Sequence, residues 1–260
     1  WAGLPTRERQ LWQLCVLAGS LFLFHYLWFS NWYVEDAAIS FSFARNAALG
    51  EGFVAYPGGE RVEGFSNPTW TLLLTAGEWL GLNSWFMAKL WGAVFGLLGL
   101  PIALAWVNHL RPEKDDLLPA LAPLFLAMSP QYVLWASSGL ENPLLATGLG
   151  LGSLMMLREI RDGGTPWSGC IWALVAITRP EAPLYAFVAG VMGGIIVLSR
   201  YGWRRVLHWA PRWLLICAIP FILWHSWRWL YFAWEFPNTY YAKLGNNDRF
   251  LPWNWQKQGW

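Results

Sequence analysis

Two neighbouring acids, Glu35 and Asp36, are the first residues in the chain that could do chemistry. They follow directly on an apolar run and open the stretch VEDAAISFSFARNAALGEGFVAYPGGERVEGFSNPTW, residues 34–70. A carboxylate in this setting can take a proton from a hydroxyl as a general base. It can equally cap the free N–H groups of a helix, because Asp36 begins a predicted helix that runs to Leu49 and ends at Gly50. The residues alone leave both interpretations open.

Three later motifs place charged and polar side chains at the ends of apolar runs. Each motif also has an explanation that needs no function. The first can be a helix cap, the second an arginine paired with its neighbouring glutamate, and the third an interfacial anchor. In the third motif, a lysine beside tyrosine hydroxyls and an asparagine is also suited to binding phosphate oxygens. The motifs are GLENP with Glu141, RPE with Arg179 and Glu181, and FPNTYYAK with Asn238, Tyr240, Tyr241 and Lys243.

A glycine-rich segment, residues 50–67, separates the first acids from the next apolar run. Glycines punctuate it, and the tripeptide PGG marks a turn. Such a segment can be a plain connector, but its length and its apolar residues favour a loop that covers a site. It lacks the Gly-Lys-Ser or Gly-Lys-Thr of a phosphate-binding P-loop.

The composition indicates an integral membrane protein, which limits the elements that could position these residues. Of the 260 residues, 56% are hydrophobic and only 13% are charged, whereas about a quarter is usual in a soluble domain. The 22 tryptophans, many of them near the ends of apolar runs, suit the headgroup level of a bilayer. No basic tract or basic–aromatic interleaving indicates nucleic-acid binding. The dispersed cysteines and histidines predict no metal site.

Apolar runs without Asp, Glu, Lys or Arg are candidates for membrane spans, because twenty helical residues rise about 30 Å, the thickness of the hydrocarbon core. The chain is therefore predicted to be a single transmembrane domain, residues 1–260, with about seven or more spans. Small residues in ATGLGLGS, 146–153, favour close packing between helices. The runs are 11–30, 90–110, 117–140, 142–157, 165–178, 182–199 and 213–227.

Basic residues between the runs predict the orientation, because arginine and lysine are enriched in cytoplasmic loops. Arg7 and Arg9 place the N-terminus in the cytoplasm. The other basic loops are 111–114, 158–161 and 200–205. The segments then predicted outside are the first loop, 31–67, and 137–141, 179–181 and everything after about 235. All the candidate motifs are thus expected to share the extracytoplasmic face.

Residues 68–110 must cross the membrane an odd number of times for this orientation to hold. Two apolar pieces occur there, 68–82 and 85–107. We expect one full span and one short helix that does not cross, and a third short crossing is the alternative. The run 165–178 is also short, about 21 Å as a helix. It could end in a recessed, water-filled pocket that places Arg179 below the membrane surface.

The order of these motifs resembles the GT-C superfamily of membrane glycosyltransferases. The resemblance is strongest to the branch that holds the terminal arabinofuranosyltransferase of the mycobacterial cell wall and related bacterial proteins. It is carried by an acidic pair, a helix with Arg-Asn near its end, a Gly-x-Gly turn and VEGFSNP. It continues through SSGLENPLL, ITRPEAPLY and FPNTYYAK in the family's order, so it covers most of the chain.

The resemblance implies an all-α polytopic helix bundle, GT-C-like, whose long first extracytoplasmic loop carries a helix lying along the interface. It also implies a multi-pass enzyme of the bacterial cytoplasmic membrane. Such an enzyme takes a sugar from a polyprenyl-phosphate donor on the outer face and transfers it with inversion to a hydroxyl of a glycan or glycoprotein acceptor. The implied roles are a base for Asp36 with Glu35 beside it; donor-phosphate binding for Arg179, Lys243, Tyr240 and Tyr241; sugar or acceptor contacts for Glu141, Glu181 and Asn238; and loop support for Glu63 and Asn67.

Three departures from the family's pattern keep alternatives open. The family often has Asp-Asp where this chain has Glu35-Asp36, and it tends to carry arginine where this chain has Ser42. Its members are usually much longer, so we expect the N-terminal part of a longer protein. The main alternative is a catalytically silent structural subunit of a membrane protein complex, and a transporter is a weaker one.

The expected cofactor and partners follow from these residues and from the resemblance. Two outer carboxylates could hold Mg²⁺ or Mn²⁺ through oxygen ligands, so the sequence leaves a divalent cation open. The expected partners are the lipid-linked sugar, the acceptor, membrane lipid and, under the alternative, other membrane subunits.

Overall fold

A computed structural model describes residues 5–111, 116–233 and 237. These residues form ten α-helices and one short 3-10 helix, Leu118–Ala120, and no β-strand occurs within the described ranges. The predicted all-α fold is therefore confirmed. The α-helices are α1 Thr6–Trp28, α2 Ala37–Ala48, α3 Pro68–Trp79, α4 Ser84–Leu110, α5 Leu121–Met128, α6 Pro130–Ser137, α7 Asn142–Asp162, α8 Ser168–Thr178, α9 Ala182–Tyr201 and α10 Trp203–Phe232.

Four of these helices, α1, α4, α9 and α10, are long and apolar enough to cross a membrane. A fifth candidate span is the pair α5 and α6, which is bent by 57°. At most 28% of the apolar window of any of the four single helices is buried, so most of their apolar surface is left for lipid. The expected polytopic membrane bundle is thus confirmed.

The other two runs predicted as spans form α7 and α8. The 21 residues of α7 end in a charged last turn, which includes Arg161 and Asp162. With only 11 residues, α8 rises about 17 Å, less than the hydrocarbon core. The count of about seven crossings stays a prediction.

The lengths of α3 and α4 match the expectation for residues 68–110. The 12 residues of α3 rise about 18 Å, whereas the 27 residues of α4 rise about 40 Å. Asn83 separates them, because its side-chain oxygen accepts a hydrogen bond from the backbone N–H of Phe86 and so begins α4. One long helix and one short helix therefore fill this part of the chain.

Small residues on α7 allow the helices around it to approach closely, as the sequence predicted. A Cβ atom added at Gly148 would lie 2.8 Å from Val175 on α8, and one added at Gly150 would lie 3.0 Å from Ile102 on α4. Distances this short leave no room for a larger residue. The stretch 146–153 is consequently the close interface of α7 with α4 and α8.

Tryptophans at helix ends are exposed, as the composition predicted for a membrane protein. Trp28 at the end of α1, Trp79 at the end of α3, Trp167 before α8 and Trp203 at the start of α10 each expose more than half of their surface. An amphipathic indole is favoured at the membrane–water interface. These residues are therefore expected to mark the two interfaces of the bundle.

Gly92 on α4 provides a test of this packing. We expect Gly92→Ala to destabilise the protein by about 1–3 kcal/mol, because the added Cβ would overlap the backbone oxygen of Ala136 on α6. The measurement is thermal unfolding in detergent. Gly194→Ala on α9 is the matched control, because nothing lies within 4 Å of its Cβ position. Equal midpoints for the two variants would contradict the close approach of α4 and α6.

Candidate active site

A cavity of about 890 Å³ lies where α2, α6, the start of α7 and the turn between α8 and α9 meet. The end of the first loop, residues 64–67, forms another part of its wall, and Pro237 also lines it. The cavity brings together residues that lie up to 201 positions apart in the chain. Five of the predicted site residues line it, namely Asp36, Asn67, Glu141, Arg179 and Glu181.

Asp36 reaches the cavity from the position that precedes α2. Its backbone is already helical, with φ −58° and ψ −22°, and its side chain makes no capping hydrogen bond. Across the part of the chain that the structure describes, its carboxylate has no hydrogen-bond or ion-pair partner and is exposed. The carboxylate is therefore available to a ligand instead of capping the helix. Glu35 is also exposed but does not line the cavity.

Asn67 connects the helix that follows Asp36 to Glu141 through buried hydrogen bonds. The hydroxyls of Ser40 and Thr71 donate to Asn67 Oδ1 at 2.8 and 3.1 Å. Asn67 Nδ2 donates to Glu141 Oε2 at 2.7 Å. The Asn67 and Glu141 side chains are both buried, with 4% of each residue exposed. An ionised carboxylate can only accept hydrogen bonds, so Glu141 fixes the orientation of the amide.

Arg179 continues this network on the other side of Glu141. Its Nη1 donates to Glu141 Oε1 at 2.9 Å, and its Nε donates to Glu181 Oε1 at 2.6 Å. Pro180 disfavours helical backbone at the preceding residue, and Arg179 is extended, with φ −148° and ψ 153°. The helix α8 therefore ends here and turns the guanidinium into the cavity. The predicted pairing of Arg179 with Glu181 is present, and Glu141 adds a second carboxylate.

The charges on the described wall are mostly negative. Three carboxylates, Asp36, Glu141 and Glu181, face a single guanidinium, Arg179, which gives a formal charge of −2. A bound phosphate would need further positive charge nearby. The residues predicted to supply it or to assist, Asn238, Tyr240, Tyr241 and Lys243, lie outside the described residues. Within the described residues no group of three or more His, Cys, Asp and Glu could hold a metal ion.

Glu63 holds the first loop by a buried ion pair with α10. Arg228 Nε donates to Glu63 Oε2 at 2.6 Å, and the two side chains are only 5% and 1% exposed. Glu63 does not line the cavity, but the residues directly after it, 64–67, do. The pair thus fixes the loop at the point where it enters the cavity wall.

Aromatic contacts add to this attachment of the loop. The Tyr231 hydroxyl accepts a hydrogen bond from the backbone N–H of Phe53 at 2.9 Å. It also lies where a Cβ of Gly52 would be, and the φ of +85° at Gly52 favours glycine as well. Phe65 packs against Phe232 at the end of α10, with ring centroids 6.1 Å apart. The loop is therefore joined to α10 at several points.

Sequence reasoning missed two cations that organise the site. Arg228 comes directly after the charge-free run 213–227, and an arginine in such a place signals a partner without naming it. Lys89 directly precedes the run 90–110, and its ammonium donates to backbone oxygens of Phe29, Trp32 and Ser137. Lys89 therefore ties the end of α1 and the end of α6 to α4.

Replacing the amide of Asn67 tests the buried network. We expect Asn67→Asp to destabilise the protein by about 1–3 kcal/mol, because a carboxylate there loses the donor to Glu141 and places two acids in contact. Thermal unfolding measures the loss of stability.

The matched control is Asn83→Asp, since Asn83 also precedes a helix and aspartate caps equally well there. A loss as large for Asn83→Asp as for Asn67→Asp would count against the network.

The ion pair of Glu63 gives a pH prediction. Burial raises the pKa of the Glu63 carboxyl from its usual 4.5 to about 7, although Arg228 opposes the rise. The folded protein then binds this proton more tightly than the unfolded chain. Stability should therefore fall, on the order of 1–3 kcal/mol, as pH rises from about 4.5 to 7.

Glu63→Gln should remove this part of the pH dependence of the thermal midpoint. Glu60→Gln, an exposed acid three residues away, should keep it. Parallel pH profiles for wild type and Glu63→Gln would contradict the assignment.

The chain is similar to a known enzyme. It is 28% identical over 237 residues to the terminal beta-(1->2)-arabinofuranosyltransferase of Mycobacterium tuberculosis. The matched part covers 86% of this chain and 36% of the relative, so the chain spans little more than a third of the relative's length. No family model matches the chain, and no solved structure matches it significantly. The similarity confirms the resemblance drawn from the motifs.

Proposed function

We propose that this chain belongs to an inverting glycosyltransferase that uses a polyprenyl-phosphate-linked sugar on the outer face of the bacterial cytoplasmic membrane. The observation that carries the proposal is that the unpartnered carboxylate of Asp36 and the guanidinium of Arg179 line one cavity. Similarity to a named glycosyltransferase over most of the chain supports the glycosyl-transfer role. The acceptor is a hydroxyl of a glycan or glycoprotein.

In this proposal Asp36 is the general base. Its carboxylate takes the proton of the acceptor hydroxyl, whose oxygen attacks the anomeric carbon of the donor sugar. The new carbon–oxygen bond forms on the face opposite the phosphate. The bond to the phosphate breaks, and its electron pair leaves with the polyprenyl phosphate. Attack from the opposite face inverts the anomeric configuration. We assign no step to a metal ion, and a chelator added to the same assay tests a need for Mg²⁺ or Mn²⁺.

Arg179 is proposed to contact the donor phosphate. Its Nε and Nη1 are held by Glu181 and Glu141, which fixes the plane of the guanidinium. Its Nη2 makes no hydrogen bond to any other described residue, so its two N–H groups remain for a phosphate oxygen. Because the described wall carries a formal charge of −2, further positive charge is needed, and we propose that Lys243 supplies it, with Tyr240 and Tyr241 donating hydrogen bonds.

The two glutamates of the wall are proposed to have different tasks. Glu141 is buried and already accepts from Asn67 and Arg179, so it positions the site as much as it contacts a substrate. The side chain of Glu181 is 44% exposed and is better placed to accept from a sugar hydroxyl. Asn238 is proposed to assist it. The relative's name makes arabinofuranose the first donor sugar to test.

The test is transfer of labelled sugar from a panel of polyprenyl-phosphate sugars by the full-length protein in lipid. We expect Asp36→Asn to lower the rate by about 10²- to 10⁴-fold, the usual contribution of a general base. Folding should be intact, because the substitution is isosteric and the side chain is exposed. Glu51→Gln is the control, since Glu51 is an exposed acid of the same loop that does not line the cavity.

Glu35→Gln in the same assay separates the two neighbouring acids. A larger loss of transfer rate for Glu35→Gln than for Asp36→Asn would identify Glu35 as the general base. A folded Asp36→Asn protein that retains full transfer would refute the assignment. If no donor supports transfer and the protein copurifies in a defined complex, the structural-subunit alternative is favoured.

A further inference from the structure

We propose that the α6 wall of the cavity is a sugar-binding surface formed by Gln131 and Trp135, with Asn142 beside them. The ligand is a sugar ring of a glycan substrate. The proposal rests on the proposed function for the identity of that substrate, but the surface can be tested by binding alone. All three residues line the same cavity as Asp36 and Arg179.

Gln131 and Trp135 form a matched pair on one helix face. They lie four residues apart on α6, one above the other, and both are exposed. The indole Nε1–H of Trp135 donates to Gln131 Oε1 at 3.2 Å. An indole N–H can only donate, so the amide oxygen faces the ring and the amide nitrogen is turned away. The polar atom of the indole is thus satisfied within the helix, and none of the described aromatic rings or cations packs on the indole.

The chemistry of this pair suits a sugar. The face of an aromatic ring carries negative charge density, which attracts the weakly positive C–H bonds on one side of a sugar ring. Gln131 Nε2 has no partner among the described residues and can donate to a hydroxyl oxygen. Asn142 is oriented in the same sense, because its Oδ1 lies 3.5 Å from Arg179 Nη1 and its nitrogen remains a donor.

Donors on this wall complement acceptors on the others. Asp36 and Glu181 offer carboxylate oxygens, whereas Gln131 and Asn142 offer amide N–H groups. Sugar hydroxyls both donate and accept, so they can use both kinds of wall, as in pockets where a few polar groups orient the ligand. A polyprenyl chain could use neither the amides nor the carboxylates. A carbohydrate ring is therefore the favoured occupant.

The surface is held rigidly at both ends of α6. Near its start, the Tyr132 hydroxyl donates to the backbone oxygen of Gly96 on α4 at 2.6 Å. Just after its end, Trp70 Nε1 donates to the Gly139 oxygen at 2.9 Å, and the Val34 N–H donates to the Ser138 oxygen at 3.0 Å. Val34 lies two residues before Asp36. The proposed base and the sugar surface are consequently fixed relative to each other before a ligand binds, which favours affinity.

An exposed tryptophan can also be a simple interfacial anchor, and Trp167 provides the comparison. Trp167 is 59% exposed at the start of α8 and does not line the cavity, whereas Trp135 is 42% exposed and does. If both residues were only interfacial anchors, substitution of either would have the same effect on sugar binding. If Trp135 forms a sugar-binding surface, only substitution of Trp135 weakens that binding.

The first test is binding of soluble methyl furanosides and pyranosides of arabinose, galactose, mannose and glucose. It uses saturation-transfer NMR and the full-length protein in lipid nanodiscs. We expect a bound sugar, and we expect Trp135→Leu to weaken its binding about tenfold, as for a buried aromatic contact. Trp135→Phe should lose less affinity for the sugar than Trp135→Leu. Gln131→Glu should weaken sugar binding because it removes the amide donor. Trp167→Leu should leave sugar binding unchanged.

The proposal is overturned if wild type binds none of these sugars. It is equally overturned if Trp135→Leu binds the sugar as tightly as wild type while its thermal midpoint shows that it is folded. The same holds if Trp167→Leu loses as much sugar affinity as Trp135→Leu.

Transfer kinetics give the second test and identify the source of the sugar. A KM that rises in Trp135→Leu for the acceptor alone assigns the surface to the acceptor sugar, and a rise for the donor alone assigns it to the donor sugar. Unchanged KM values for both overturn the proposal. If no donor supports transfer but sugar binding depends on Trp135, the proposed function fails while the sugar surface stands.

Discussion

The carboxyl group of Glu141 lies in a position that is almost closed to water, and the need to satisfy its oxygens organises the site. A buried carboxylate is costly unless hydrogen-bond donors or cations surround it. Asn67, at the start of α3, and Arg179, at the end of α8, supply the donors, and Ser40 holds the amide from α2. Four segments of the chain thus meet around one side chain, and the cavity is the space they leave.

The cavity has walls of two kinds. On one side, α6 is fixed by the Tyr132 hydroxyl, which donates to α4, and by a backbone hydrogen bond from the start of the first loop. This side presents an aromatic ring and an amide. On the other side, the loop is held through Glu63 and Tyr231, which lie outside the cavity itself. A ligand that fills the cavity would therefore contact one wall within the helical bundle and another wall that is held by contacts with α10.

Much of this arrangement could be predicted from local patterns. The helix after Asp36, the short α3 beside the long α4, and the gathering of separate motifs follow from helix signals and from the positive-inside tendency. Other features depend on packing and could not be predicted. A lone Arg228 indicates that a partner exists, but the partner lies 165 residues away. Nor does the sequence decide whether Asp36 caps its helix, because the backbone geometry of one residue settles that question.

The distance along the chain between Glu63 and Arg228 sets an order of assembly. A protein made from its N-terminus has all the acids of the cavity, up to Glu181, before Arg228 is synthesised. Until α10 is in place, Glu63 has no cation to bury against, and the loop has no Tyr231 to hold it. The first loop therefore gains its attachment only when α10 is in place, because both of these contacts come from that helix. The last described helix is thus needed to hold a wall of the cavity that it does not line.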